Sequence, residues 1–252
     1  IDDDFRDTFE NSGTKTGGEV ATAITSMQSR DLNSSYAAAY FPRLRLRDTL
    51  SGKSEILVVP ASVGAIGAMA FSEANSDGPW FAPAGFNRGG LSILGGSAGP
   101  RIVGTLKTLS KKNRDDLYAE NINPIARFPA VGEIVIFGQK TLQQIPSALD
   151  RVNVRRLMIF LKKKIGAIAD TILFEQNVQA TWNRFLAQAD PLLASVQSRL
   201  GISEYRLVLD NSTTTDDLVD RNILYAKVFV KPARAIEFIV IDFVVTRTGI
   251  EF

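Results

Sequence analysis

The residues that could carry chemistry in this chain are few, and two types are missing altogether. Neither His nor Cys occurs among its 252 residues. That removes the commonest general base, the commonest metal ligand, thiolate catalysis and disulfides. Carboxylate, Lys or Ser–Lys chemistry is what remains. Two glycine-rich stretches, Gly13-Thr-Lys-Thr-Gly17 and Gly95-Gly-Ser-Ala-Gly99, have the composition of phosphate loops. They lack the full spacing and the closing Lys-Ser/Thr, so they read as ordinary turns. Asp2, Asp3 and Asp4 offer oxygen ligands to a hard cation, but without the alternating spacing of a calcium loop they read as a solvated acidic start. The sequence points away from an enzyme and implies no metal or other cofactor.

Two other constellations suit binding better than catalysis. Arg155, Arg156, Lys162 and Lys163 gather on one side of a helical wheel, with Ile159 among them and Phe160 beside them. A face that mixes cations with apolar groups reads as an interface as readily as a solvated helix back. Trp80 and Phe81 stand in Gly78-Pro-Trp-Phe-Ala-Pro-Ala-Gly-Phe-Asn-Arg-Gly89, inside a loop over 76–99. Loops of that length are commonly functional or docking surfaces. Trp80, Phe81, Pro83, Asn87 and Arg88 are therefore its candidate contact residues, anchoring it onto the core or onto another chain. The net charge of +2 is too small to argue for nucleic acid. The apolar runs at 56–60 and 238–245 fall far short of the ~20 residues of a membrane helix.

Periodicity supplies the elements that must position these groups. After a polar loop over 1–19, Val20, Ala23, Ile24 and Met27 predict a helix to about Arg30. Residues 36–47 read as extended, with Leu44 and Leu46 alternating against Arg43, Arg45 and Arg47. Next comes a helix with Val63, Ile66, Met69 and Ala70 at helical spacing. Its Ala61, Gly64, Ala65, Gly67 and Ala68 permit close approach to a neighbour. A short helical turn over 115–121 and a strand over 133–137 follow. Val154, Leu157, Met158, Leu161, Ile165, Ile168 and Ile172 make one stripe of a long helix. Phe174, Val178, Trp182 and Phe185 predict a second helix, and Pro191 opens a third that ends at Gly201.

The chain finishes in strands. Tyr205, Leu207 and Leu209 alternate as on a half-buried strand, a polar turn spans 210–217, and another strand covers 223–231. The stretch 235–248 is apolar on both faces, Ile236, Phe238, Val240 and Val244 against Ile239, Ile241, Phe243 and Val245. A strand of that kind is covered on both sides, so Ile236, Phe238, Val240, Phe243 and Val245 are expected in a central C-terminal strand. The fold class is α+β, a mixed β-sheet flanked by helices.

An ordered series of segments carries a resemblance. Phe81-Ala-Pro-Ala-Gly-Phe-Asn-Arg-Gly89, Asn121-Ile-Asn-Pro-Ile125, Gly138-Gln-Lys-Thr141 and Asp150-Arg-Val-Asn-Val-Arg-Arg-Leu157 begin it. Phe174-Glu-Gln-Asn177, Tyr205-Arg-Leu-Val-Leu-Asp210, Asp220-Arg-Asn222 and Pro232-Ala-Arg-Ala-Ile236 continue it. Together they resemble the C-terminal core of the sheath proteins of contractile phage tails, over about 35–249. The resemblance implies a structural subunit that polymerises with copies of itself as stacked rings around an inner tail tube protein. On triggering, the sheath shortens and drives the tube through the host envelope.

It further implies a baseplate and a tail terminator at the two ends, no nucleic acid and no membrane insertion. Such a protein sits in the virion tail and assembles in the host cytoplasm. Extended terminal segments complete the sheets of neighbouring subunits by β-augmentation. Residues 35–252 would be the sheath core, and 1–34 the foot of an inserted domain missing here. Arg155, Arg156, Lys162 and Lys163 would form the tube-facing basic face. The rival readings are the sheath of a bacterial contractile injection or secretion system and, from another class, a tail-associated enzyme or a carbohydrate-binding module using Trp80 and Phe81.

Overall fold

The computed structural model describes residues 18–48, 55–92, 101–129, 132–238 and 240. Helix α1 (Gly18–Ser29) leads to β1 (Ala39–Phe41), β2 (Leu44–Arg47), β3 (Ile56–Val59), α2 (Ala61–Asn75) and the one-turn α3 (Gly85–Arg88). β4 (Arg101–Thr105), α4 (Lys111–Ala119), β5 (Ile122–Phe128) and β6 (Glu133–Ile136) complete the first half. The second half holds α5 (Val152–Asp170), α6 (Gln179–Ser198), β7 (Ile202–Val208), the short α7 (Asp216–Asp220) and β8 (Lys227–Pro232). The class is α+β as expected, but the strands divide among three small sheets, ordered β1-β5-β6, β3-β2-β4 and β7-β8.

The first sheet is mixed, with β1 parallel to β5 and β5 antiparallel to β6. Alternation along β1 and β5 sends side chains to two cores. Ala39, Phe41, Ile122 and Ala126 meet Leu117 and the α1 residues Val20, Ala23 and Met27 on one side. Tyr40 and Ile125, with Ile134 and Ile136 of β6, meet Leu44, Ala65 and Leu91 on the other. Thus β5 is a strand covered on both faces, and α1 packs in the same body as the residues that follow it. Asn123 sits fully buried within β5. Its Nδ2 donates to the carbonyls of Ala39 (3.0 Å) and Lys140 (2.8 Å), and its Oδ1 accepts from the Lys140 N–H (2.7 Å). A buried amide so paired carries little desolvation cost.

Helix α2 lies against the second sheet on its small face, burying Ala61, Gly64, Ala65, Ala68 and Ser72. A Cβ added at Gly64 would stand 2.6 Å from Leu44 Cδ1 and 3.2 Å from Leu91 Cδ1, and both leucines are fully buried. The close approach foreseen from the small residues is therefore realised, while Val63 and Ile66 face outward.

In the second half the apolar stripe of α5 is buried from Val154 through Leu157 and Leu161, with Ile165 partly covered. Helix α6 is one element where two were expected, with Pro191 inside it. Proline removes the bond to the Ala187 carbonyl and ordinarily breaks or begins a helix. Here Trp182, Phe185, Ala189, Leu193 and Val196 form one unbroken buried stripe, and that burial carries the helix through. Phe174 and Val178 precede it, and Phe174 is 104% exposed.

Trp80 joins the two halves. Its ring enters the core made by Leu157, Leu161, Leu193, Val196 and Ile202. Its indole N–H donates to the Arg199 carbonyl at 2.9 Å, and its own carbonyl accepts from Asn153 Nδ2 at 3.1 Å. Truncating it removes one of the largest buried groups linking loop and helices. Trp80→Ala is expected to lower the unfolding free energy by about 3–5 kcal/mol, whereas Phe174→Ala stays within about 0.5 kcal/mol. Urea denaturation checks this, and equal effects of the two substitutions would contradict the pinning role. By the same measurement Gly64→Val costs about 1–3 kcal/mol through overpacking.

Candidate interaction surface

Strands β7 and β8 pair antiparallel from Val208↔Lys227 to Ile202↔Pro232. Along β8, Val228 and Val230 turn toward the helices while Lys227, Phe229 and Lys231 are exposed. Among the described residues no third strand pairs with either outer edge, and a two-stranded ribbon is marginal without further cover. Between α5 and β8 runs a groove of about 340 Å³ walled by Met158, Ile159, Ile165, Val228 and Val230, with Lys162 on its border. An apolar floor beside an unpaired strand edge is what an added extended segment requires.

The segment after β8 is where expectation and structure part. The described residues from 233 onward form no strand, so the central C-terminal strand is absent there. Ile236, Phe238 and Val240 are 83%, 78% and 86% exposed. β8 ends at Pro232, and no described strand pairs with the segment. Phe243 and Val245 lie outside the described residues, as do both glycine-rich stretches and Asp2 to Asp4.

One residue of this segment is held firmly. The Glu237 carboxylate accepts from Arg151 Nε (2.6 Å) and Nη2 (2.9 Å), from the Tyr118 hydroxyl (2.8 Å) and from Gln139 Nε2 (3.3 Å). Burial alone would raise the Glu237 carboxyl, but the hydrogen bonds from Arg151 and Tyr118 and the Arg151 charge outweigh it and hold it below its ordinary value. Burial, reinforced by the hydrogen bond to Glu237 and its charge, pushes the Tyr118 phenol well up. Burial lowers the ammonium of the adjacent Lys140, and the Arg151 charge lowers it further. The site had one trace in the sequence, a lone carboxylate between Ile236 and Phe238 in an apolar run. Nothing in local spacing named its partners, which come from three distant stretches.

The four basic residues do not form one free face. Arg155 donates through Nε to the Ser35 carbonyl at 3.2 Å and through Nη2 to the Ser35 hydroxyl, with its guanidinium 4.0 Å from the Tyr36 ring centroid. Arg156 pairs with Glu73 at 2.7 Å and reaches the Met69 carbonyl at 3.4 Å. Burial lowers its pKa, although a guanidinium stays charged. These two arginines bind α5 to the first half because their long side chains reach partners there. Lys162 and Lys163 remain exposed, with Lys164 beside them.

The loop residues divide likewise. Trp80 and Pro83 are buried within the chain, so they are not available for docking. Phe81 is half-buried, with the Arg88 guanidinium 4.6 Å from its ring, and Arg88 Nε donates to the Ser76 hydroxyl. Asn87 is exposed. Among the described residues no group of three or more carboxylates is placed to hold a metal ion, and no helix is long and apolar enough to cross a membrane.

Comparison with known proteins meets this geometry at the same elements. Residues 144–246, which hold α5, α6, β7 and β8, match the family described as the phage tail sheath C-terminal domain. The chain is 38% identical over 194 residues to the tail sheath protein of Vibrio phage KVP40, covering 77% of this chain and 27% of that protein. It is 38% identical over 173 residues to the tail sheath protein of Enterobacteria phage T4, covering 69% and 25%. The chain thus spans about a quarter of the length of these relatives. Its fold is shared with the PVC sheath complex of an extracellular contractile injection system in the contracted state. There the TM-score is 0.75 at 23% identity, covering 92% of this chain and 62% of that one. The contracted helical sheath of the anti-feeding prophage gives a TM-score of 0.69 at 19% identity, covering 92% and 68%. Residues 144–246 thus belong to the phage tail sheath C-terminal domain family, and over 77% of its length the chain is similar to a phage tail sheath protein.

Proposed function

We propose that this chain is the C-terminal core of a contractile tail sheath subunit. In this reading it does no catalysis, polymerises as stacked rings around an inner tail tube, and shortens to drive the tube through a host envelope. The observation that carries the reading is the mismatch at its C-terminal edge. Ile236, Phe238 and Val240 are exposed, close in sequence to a ribbon whose β8 edge is unpaired among the described residues. Within one chain both features are liabilities. Between copies they are complementary, because the segment of one copy laid along β8 of the next supplies a missing strand and fills the groove beside Ile159 and Val230. A contact between two different patches is head-to-tail, building rings where its rotation closes and helical tubes where it does not.

Each apolar side chain covered contributes about 1.5–3 kcal/mol before ordering costs are subtracted. Repeated at every subunit, modest differences in such contacts bias a whole array between two lengths, as no single ligand site would. In this reading Lys162 and Lys163 are what remains of the basic face toward an acidic tube, since Arg155 and Arg156 are bound inward. Baseplate and tail terminator are the partners at the ends of a virion tail assembled in the host cytoplasm.

The curated relatives at 38% identity are phage proteins, which favours a phage tail over an injection device with the same fold. A carbohydrate module is disfavoured by burial of Trp80 and by Arg88 capping Phe81. The test is negative-stain microscopy of the full-length polypeptide with and without tubes. Phe238→Asp and Ile159→Asp are expected to abolish tubular polymers while leaving circular dichroism unchanged. Lys163→Glu is expected to reduce assembly on tubes and spare tube-free polymer. Normal tubes from Phe238→Asp would contradict the strand-exchange reading, and normal tubes from Ile159→Asp would contradict its docking groove.

A further inference from the structure

Packing does not hold the segment that follows β8. Open cavities flank it on both sides, one of about 220 Å³ against Ala82, Tyr118 and Phe137, the other of about 410 Å³ against Ala148, Asn153 and Val154. Between them the segment is fixed at two points only among the described residues. The Ala233 N–H donates to the Gly201 carbonyl at 3.1 Å, and Glu237 is gripped by Arg151, Tyr118 and Gln139. Beyond that grip no described residue hydrogen-bonds Phe238 or Val240.

The three donors come from different parts of the fold. Tyr118 lies in α4 and Gln139 in the connection after β6, while Arg151 is the residue from which α5 starts. The main chain joins the last two, the Gln139 carbonyl accepting from the Val152 N–H at 2.8 Å. Arg151 is itself steadied by Asp150 at 3.2 Å. Two parallel N–H···O bonds from a guanidinium to a carboxylate fix direction as well as distance. The grip therefore sits where the two halves of the molecule meet, and it orients the backbone at residue 237.

We propose that Glu237 is the pivot of the C-terminal segment: its clasp with Arg151, Tyr118 and Gln139 makes the chain rigid through residue 237 and aims Phe238 and Val240 in one direction at a second copy of this chain. The first residue free to bend is Phe238. When two copies shift relative to each other, the bend falls beyond the clasp while the root travels with its own body. The inference rests on the strand-exchange reading, but the clasp itself is testable in the monomer.

The experiment uses the full-length polypeptide with Glu237→Gln, and the double variant Arg151→Met with Glu237→Gln. The double variant removes both charges, so an uncompensated buried charge is not confused with loss of the clasp. Limited chymotrypsin cleavage at Phe238 and hydrogen exchange over 233–238 report on the root, thermal unfolding reports on the body, and microscopy reports on assembly. Losing charge-assisted bonds is expected to speed cleavage about ten-fold or more, with the main unfolding transition retained and assembly slowed by a similar factor. Unchanged cleavage and exchange in both variants would overturn the clasp. Faster cleavage with assembly at the parental rate would overturn the pivot. Phe238→Asp serves as the separate control, because if it assembles normally the strand-exchange reading fails, while the cleavage result still judges the clasp.

Discussion

Backbone groups along a strand edge need partners, and apolar side chains need cover. At β8 and in the segment beyond it the described chain supplies neither. The ribbon of β7 and β8 buries one face on α5 and α6 through Ile202, Tyr205, Val228 and Val230, leaving its outer edges open. Ile236, Phe238 and Val240 extend from it into solvent. Among the described residues this sheet stays two-stranded, and in the proposed assembly a second copy completes it. The proposed sheath role accounts for both features, because it defers this burial to assembly.

For such a block to transmit force, its interior must hold while its edge is shared. Three ties make the two halves one body. Trp80 carries the loop of the first half into the helical core of the second. Arg155 and Arg156 bind α5 to Ser35 and Glu73. Arg151, Gln139 and Tyr118 converge on Glu237, so the root of the outgoing segment sits on the junction itself. In the proposed sheath a pull on the segment is delivered to both halves together. The exposed lysines at 162–164 lie on the same helix as the groove, so in the proposed assembly strand and tube meet α5 on neighbouring surfaces.

Local periodicity made much of this legible. The stripes of α1, α5 and α6 and the alternation of β2 and β7 were readable because each element buries one face. The small-residue face of α2 was readable because glycine and alanine at helical spacing have few other uses. What spacing could not convey was tertiary. Pro191 looked like a helix start, and only continuous burial on both sides of it keeps α6 whole. Residues 235–238 and 240, the described part of the expected central strand, form none, because sequence records apolarity but not whose core receives it. Among the described residues β1 and β5 are covered on both faces, and β5 was hidden in the sequence by Asn123 and Pro124. The four basic residues shared a wheel position, yet two have partners within reach and two do not. Long-range ion pairs such as Arg151 with Glu237 leave no local pattern at all.

These 252 residues contain no cysteine, so with any cysteine elsewhere in the full-length polypeptide replaced, one measurement is direct. Single cysteines placed at Phe238 or Val240 can be combined with one at Lys227, Phe229 or Lys231 on β8 of the full-length polypeptide, assembled and then oxidised. Strand exchange between copies predicts a ladder of covalent multimers that appears only after assembly and only for a subset of pairs in register. Monomers alone after oxidation of assembled tubes, whatever the pair, would contradict it.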